Sequence, residues 1–270
     1  MKRYAFTAFL LIVVFATPQL FILNSAVAGS DCNIACQGSF VIDEIETAAD
    51  LEALSGCATI TGDLSIEYSP LTSLEELECL AHVSGSLDIK LNESLTSLKG
   101  LERVEYVGGD LGISVNRSLT SLAGLHNLRS IGGHLDIEHN DSLTSLAGLY
   151  SLEAVGRRLY ISVNHSLTSL EGLENLTSIG EDLEISYNFS LTSLAGLNNL
   201  ESVGGDLDIS VNRFLASLAG LHSLESVGGN LVIWYNRKLC TSVAEALKDR
   251  LLDSGGAGGS INISMNKPGC

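Results

Sequence analysis

The chain has 270 residues, a formal net charge of −17 at pH 7 and six cysteines. An acidic excess of this size argues against nucleic acid and anionic membrane surfaces as partners. Like charge is also a common protection of stacked strands against aggregation, so the charge alone does not indicate an acidic functional site.

Residues 1–28 have the pattern of a cleavable signal peptide. Lys2 and Arg3 precede an apolar run, Pro18 interrupts that run, and Ala28 completes a small-x-small cleavage site. An uncleaved anchor is the alternative, since hydrophobicity resumes after the proline. We expect cleavage after Ala28 and export, with no further segment apolar enough to cross a membrane.

Residues 29–59 are predicted to form an N-terminal cap. A short strand is expected at 40–42, followed by an acidic amphipathic helix at 47–54 that ends at Ser55-Gly56. The first repeat then opens at Ile60. Its turn carries Ser69-Pro70 where later repeats have asparagine. Terminal repeats of solenoids commonly depart from the consensus in this way.

A 24-residue unit repeats over residues 60–239, and one asparagine marks each unit. These asparagines are Asn92, Asn116, Asn140, Asn164, Asn188, Asn212 and Asn236. A fixed period of this length predicts a solenoid in which each unit forms one turn.

Two patterns within the unit define the sides of that turn. Leu111-x-Ile113 alternates apolar and polar residues, as in a half-buried strand. The next four leucines, from Leu119 to Leu128, step by three, which would disperse them around an α-helix. We therefore expect a coil of short extended or 3₁₀ sides, with bends at Gly124 and at Gly132-Gly133.

The repeated asparagines are predicted to point inward. A single turn buries too little apolar surface to offset its backbone entropy, so the turns must stack in parallel. An inward amide both donates and accepts, and it can bond the backbone of its own and adjacent turns as a ladder. Five of these asparagines also lie in Asn-x-Ser glycosylation sequences, but we expect them to be buried in the ladder and not glycosylated.

Residues 240–270 are predicted to form a C-terminal cap. Ser242 and Glu245 match a capping box, Val243, Leu247 and Leu251 share one helix face, and a final strand is expected at 260–263.

All six cysteines lie in the two predicted caps or beside them. Cys240 and Cys270 occupy equivalent positions of successive turns and are expected to be bonded. The pairing of Cys32, Cys36, Cys57 and Cys79 stays open among three connectivities on spacing alone.

The opening block, from Cys36 through Cys57-x-x-Ile60-x-Gly62-x-Leu64-x-Ile66, resembles the receptor L-domain, the ligand-binding solenoid of insulin- and EGF-type receptors and of many microbial surface proteins. The resemblance implies a right-handed coil of the β-helix or leucine-rich-repeat kind, capped at both ends, and a Cys36–Cys57 bridge. Cys32–Cys79 is a further candidate disulfide. The chain lacks a cysteine-rich module and a kinase, so nothing supports a signalling role.

The sequence therefore predicts a mainly β solenoid of about eight 24-residue coils, with disulfide-stapled caps and a short helix at each end. No nucleophile, base and stabiliser assemble in the sequence, and we expect no enzyme activity. A carbohydrate-active β-helix enzyme is the weakest alternative. Calcium is the one cofactor that the carboxylates would suit, but no loop has its ligand spacing, so no cofactor is predicted.

We expect an exported binding module, secreted, at the cell surface or in the periplasm, that recognises a protein or a glycan through its exposed parallel strands. A structural or spacer protein of the envelope is the alternative. The predicted contact residues combine acidic and aromatic side chains toward the C-terminal half, where Trp234 is the only tryptophan. They are Tyr160, Asp182, Glu184, Asp206, Asp208 and Trp234.

Overall fold

The computed structural model describes residues 32–44 and 47–270. The predicted signal peptide, residues 1–28, lies outside the described residues. Two helices, α1 (Thr47–Leu54) and α2 (Thr241–Asp253), flank a stack of short strands. Both of the predicted short helices are therefore present.

The strands form two parallel sheets. The ten-stranded sheet, called here the long-strand sheet, contains β2 (Phe40–Ile42), β4 (Leu64–Glu67), β6 (Leu87–Lys90), β8 (Leu111–Ser114), β10 (Leu135–Glu138), β12 (Leu159–Ser162), β14 (Leu183–Ser186), β16 (Leu207–Ser210), β18 (Leu231–Trp234) and β19 (Ile261–Ser264). The nine-stranded short-strand sheet contains β1 (Ile34–Cys36), β3 (Cys57–Ile60), β5 (His82–Val83), β7 (Tyr106–Val107), β9 (Ser130–Ile131), β11 (Ala154–Val155), β13 (Ser178–Ile179), β15 (Ser202–Val203) and β17 (Ser226–Val227).

Neighbouring strands of each sheet come from successive turns of the chain and pair in register. Leu135 of β10 is opposite Leu111 of β8 on one side and Leu159 of β12 on the other. The molecule is thus a parallel β-solenoid of about eight coils spaced about 24 residues apart. The predicted fold class is confirmed.

The core is a set of aliphatic columns inside the stack. Leu135 and Ile137 of β10 are fully buried, as the alternating pattern predicts. The leucines that step by three, such as Leu119 and Leu122, are also fully buried. They lie on a third side that contains turns and two short 3₁₀ segments, Glu75–Leu77 and Ala123–Leu125.

The asparagine of each turn lies fully buried at the carboxyl end of a long strand. Asn164 donates from Nδ2 to the Ile137 carbonyl oxygen (2.8 Å), and its Oδ1 accepts from the Asn140 N–H (3.1 Å). Both partners belong to the preceding turn, so each amide reaches backward along the stack. Asn266 makes the equivalent bonds at the C-terminal end, and buried Ser69 takes the asparagine position in the first turn.

A second ladder runs along the opposite ends of the long strands. The residue just before each strand accepts a hydrogen bond from the backbone N–H of its counterpart in the following turn, except at Arg158, whose guanidinium has no acceptor atom. Asp110 Oδ1, for example, accepts from the His134 N–H (2.8 Å), and Asp206 Oδ1 accepts from the Asn230 N–H (2.6 Å). The two ladders therefore fasten each turn to both of its neighbours from opposite ends of the strand.

The corner after each long strand has an unusual backbone. The residue before each ladder asparagine has a positive φ, between 53° and 60°, although none of these residues is glycine. The column includes β-branched Val115, Val163 and Val211. Such a conformation costs about 1–3 kcal/mol per residue and persists only when its surroundings impose it. The buried amide bonds on the following residue supply that constraint.

Glycine is required where turns approach closely. Gly148 has a φ of +122°, and a Cβ there would lie 2.0 Å from the Leu122 carbonyl oxygen of the preceding turn. Backbone contact at this distance excludes any side chain.

The C-terminal cap differs from the prediction in two respects. Helix α2 starts at Thr241 after Cys240, so Ser242 is not its N-cap, and the Ser242 hydroxyl donates to the Cys270 carbonyl oxygen instead (2.5 Å). Val243 is 38% exposed, and Ala244 takes its expected place on the buried face with Leu247 and Leu251. The helix is therefore rotated relative to the predicted face, while it still closes the last coil.

Three disulfides tie the ends of the solenoid. They join Cys32 to Cys79, Cys36 to Cys57 and Cys240 to Cys270. All six cysteines are thereby paired, which is typical of an oxidising environment.

Candidate functional site

The outward side of the long-strand sheet, called here the strand face, is formed by the second and fourth residues of each strand. Tyr160, Glu184 and Asp208 occupy second positions in β12, β14 and β16, and Trp234 occupies the fourth position in β18. Pairing of Tyr160 with Glu184 and of Glu184 with Asp208 sets these three side chains in one row. All four are partly exposed.

Asp182 and Asp206 lie just before β14 and β16, in the ladder that fastens successive turns. Asp182 Oδ1 accepts from the Asp206 N–H (2.7 Å). Asp206 accepts from both the backbone N–H and the side-chain amide of Asn230. Sequence reasoning placed these two carboxylates with the contact residues, whereas the structure gives each a backbone-capping role as well.

Asp208 is the least satisfied carboxylate of the row. Its Oδ1 is buried and has no hydrogen-bond partner among the residues that the structure describes. Burial raises the pKa of Asp208, the charge of Asp206 raises it further, and a hydrogen bond from Ser210 opposes the shift. By contrast, the Glu184 carboxylate accepts a hydrogen bond from the Ser186 hydroxyl (2.9 Å).

Trp234 is partly exposed at the C-terminal end of the strand face. Its ring is tilted against that of Tyr235, with 5.2 Å between centroids. In the sheet it is opposite Ser210 on one side and Ser264 on the other. Because both cross-strand neighbours are small, the indole is the largest side chain in its column of the strand face.

Arg158 lies just before β12, at the edge of the strand face, and was not among the predicted contact residues. Its guanidinium is 2.9 Å from Asp136 Oδ1 and lies over the Tyr160 ring at 4.8 Å. The strand register aligns Gly156 and Arg157 with Gly132 and Gly133 of the preceding turn, so Arg157 takes the place of a glycine. The signal available in the sequence was an arginine two residues before Tyr160.

The histidines and carboxylates of the described residues do not gather into a metal-binding cluster. Residues 32–44 and 47–270 contain no group of three or more His, Cys, Asp or Glu side chains placed to hold a metal ion. Of the histidines, His134 Nδ1 accepts from the Arg158 N–H (3.2 Å), and His165 lies 2.8 Å from Asp141. Both are engaged within the ladders and corners of the stack.

These features define the chain as a parallel β-solenoid protein with a half-exposed acidic and aromatic sheet face. Comparisons with protein families, curated proteins and solved structures find no match to it. No helix within the described part of the chain is long and apolar enough to span a membrane.

Proposed function

We propose that the protein is an exported binding module of the receptor L-domain kind, which holds a protein or glycan partner against the C-terminal half of its strand face. The solenoid geometry and the bonded Cys36–Cys57 pair support the resemblance. The three disulfides support export.

The observation that carries the proposal is the state of Asp208. A carboxylate with a buried, unpartnered oxygen costs folding free energy, and no described residue compensates that oxygen. Asp208 belongs to the strand next to that of Trp234, and tryptophan is the side chain most enriched at binding hot spots. A partner that donates to Asp208 and covers Trp234 would relieve the cost.

Capture from the native cell surface tests this proposal. The disulfide-bonded protein should retain a specific partner. Trp234→Ala should weaken retention while the thermal midpoint stays unchanged, and Asp208→Asn should weaken retention without lowering the midpoint. Glu138→Gln is the matched control, because Glu138 is the fourth residue of β10 in the N-terminal half of the same face. If Trp234→Ala lowers the midpoint and leaves retention intact, the residue belongs to the cap and the proposed face is wrong.

A passive spacer of the envelope is the second candidate. The uniform stacking register favours it, since a spacer needs only length and stability. Absence of any specific capture by the wild-type protein would favour this role over binding.

A further inference from the structure

A cluster of aromatic and arginine side chains lines the corner beside the last ladder asparagines. We call it the aromatic–arginine corner, and it consists of Tyr187, Phe189, Arg213, Phe214, Tyr235 and Arg237. Four of these residues are exposed and two, Phe189 and Tyr235, are partly exposed. They flank Asn188, Asn212 and Asn236, so they belong to three successive turns about 4.8 Å apart.

The arginines of the corner lie on aromatic rings. The Arg213 guanidinium carbon is 4.4 Å from the Phe189 centroid, and that of Arg237 is 4.5 Å from the Tyr235 centroid. Tyr187 meets Phe189 edge-on at 6.4 Å. Stacking fixes the plane of a guanidinium and leaves N–H groups at its edge for a planar anion.

The residues directly after the ladder asparagines form one column along the stack. Its charged side chains form ion pairs in the N-terminal turns, but Arg213 and Arg237 do not. Arg117 lies 3.7 Å from Glu93, and His165 lies 2.8 Å from Asp141, each pair occupying the same column in successive turns. Arg213 makes no ion pair with any residue in the described part of the chain, and the same holds for Arg237. Arg213 and Arg237 are therefore two unpaired cations in consecutive turns of one column, on a chain with a net charge of −17.

The adjacent column of the strand face also loses its carboxylates here. The fourth strand position holds Glu67, Lys90, Ser114 and Glu138 in the N-terminal half. From β12 onward it holds only serines and Trp234. The corner thus combines two unpaired cations with aromatic rings, and the nearest strand-face carboxylates, Glu184 and Asp208, lie at the second strand positions.

We infer that the aromatic–arginine corner binds an acidic glycan, a linear polysaccharide that carries uronate carboxylates, laid along the solenoid axis. This inference goes beyond the proposed strand-face binding, because it assigns a second surface with a ligand class of its own. Arginine pairs with a carboxylate through two parallel hydrogen bonds, and exposed aromatic faces accept the apolar C–H faces of sugar rings.

Two other polyanions fit the corner less well. Nucleic acid carries far more charge per unit length, so the acidic remainder of the chain repels it more strongly. An extended peptide presents same-side carboxylates about 6.6 Å apart, which does not match cations that recur once per turn at about 4.8 Å.

The test measures binding of the disulfide-bonded protein to polygalacturonate, with an uncharged glucan and poly-glutamate as comparison ligands. We expect binding to polygalacturonate that weakens with salt and exceeds binding to both other polymers. The double variant Arg213→Gln, Arg237→Gln should weaken it by about tenfold or more. Arg117→Gln is the matched control in the same column and should leave it within about twofold, because Glu93 already neutralises Arg117.

Several results would overturn the inference. These are absence of polygalacturonate binding, equal or tighter binding of poly-glutamate, or the same loss in the Arg117→Gln control. If the protein does not bind polygalacturonate but its capture of a native partner still depends on Trp234, the acidic-glycan inference is wrong and the proposed binding function is retained. If the wild-type protein captures nothing and yet binds polygalacturonate through the arginines, the strand-face proposal falls and the glycan site stands.

Discussion

Replacing Asn164 with alanine tests the inward ladder most directly. The side chain is fully buried, and it pairs the Ile137 carbonyl oxygen and the Asn140 N–H of the preceding turn. Alanine leaves both backbone groups buried without a partner, at about 1–3 kcal/mol each. We therefore expect a loss of roughly 2–6 kcal/mol, a large share of the stability of a typical domain.

Urea unfolding of the oxidised protein measures this loss. Thr168→Ala is the matched control, because Thr168 is exposed and bonds the Thr144 carbonyl oxygen of the preceding turn at 3.2 Å. Its expected effect is about 0.5 kcal/mol or less. Equal, small shifts of the two midpoints would refute the idea that the amide bonds hold successive turns together.

Two further predictions concern the cap and the strand face. Removing the bridge with the double variant Cys240→Ala, Cys270→Ala, which spans 30 residues of sequence, should lower the free energy of unfolding by about 3–4 kcal/mol, read from urea midpoints. An unchanged midpoint would contradict this role. Because the pKa of Asp208 is raised in the folded state, the wild type should gain stability as pH falls through that pKa, and Asp208→Asn should lose this gain. If the free energy of unfolding changes with pH by the same slope in the wild type and in Asp208→Asn, this prediction is wrong.

The repeat itself made most of the fold predictable. The alternation at Leu111 and Ile113 identifies the long strand, and the spacing of the asparagines fixes both the period and the register. These signals are strong because each recurs in the same column of successive turns.

The short-strand sheet could not be read from the sequence. Its typical member, such as Ser130–Ile131, has two residues, and two residues show no period. Pairing with β7 and β11 makes this pair a strand, so the element exists only through its neighbours.

The caps were harder to predict because they are single elements with no repeats to average over. Ser242 and Glu245 match a capping box, yet the N-cap is Cys240, two residues earlier, and the serine hydroxyl bonds the Cys270 carbonyl oxygen. That shift turns Val243 outward and Ala244 inward. Tertiary contacts at the chain end decide between starts that local propensity leaves nearly equal.

The candidate site was predictable in part. Tyr160, Glu184 and Asp208 occupy the strand face, since a two-residue period assigns side chains to faces. The capping bonds of Asp182 and Asp206 depend on the corner backbone, which the pattern does not describe.

The opposed ladders have a consequence for how the chain finds its register while folding. Asn140 and Asn164 present nearly the same groups to their neighbours, so a turn docked one repeat out of place would recover the same amide bonds. The buried aliphatic and asparagine columns distinguish the correct neighbour only weakly from the next one along, because their residues repeat in every turn. The ends break this degeneracy, because α1, α2 and the three disulfides each fit a single place. The caps thus act as the reference points from which the repeats are counted.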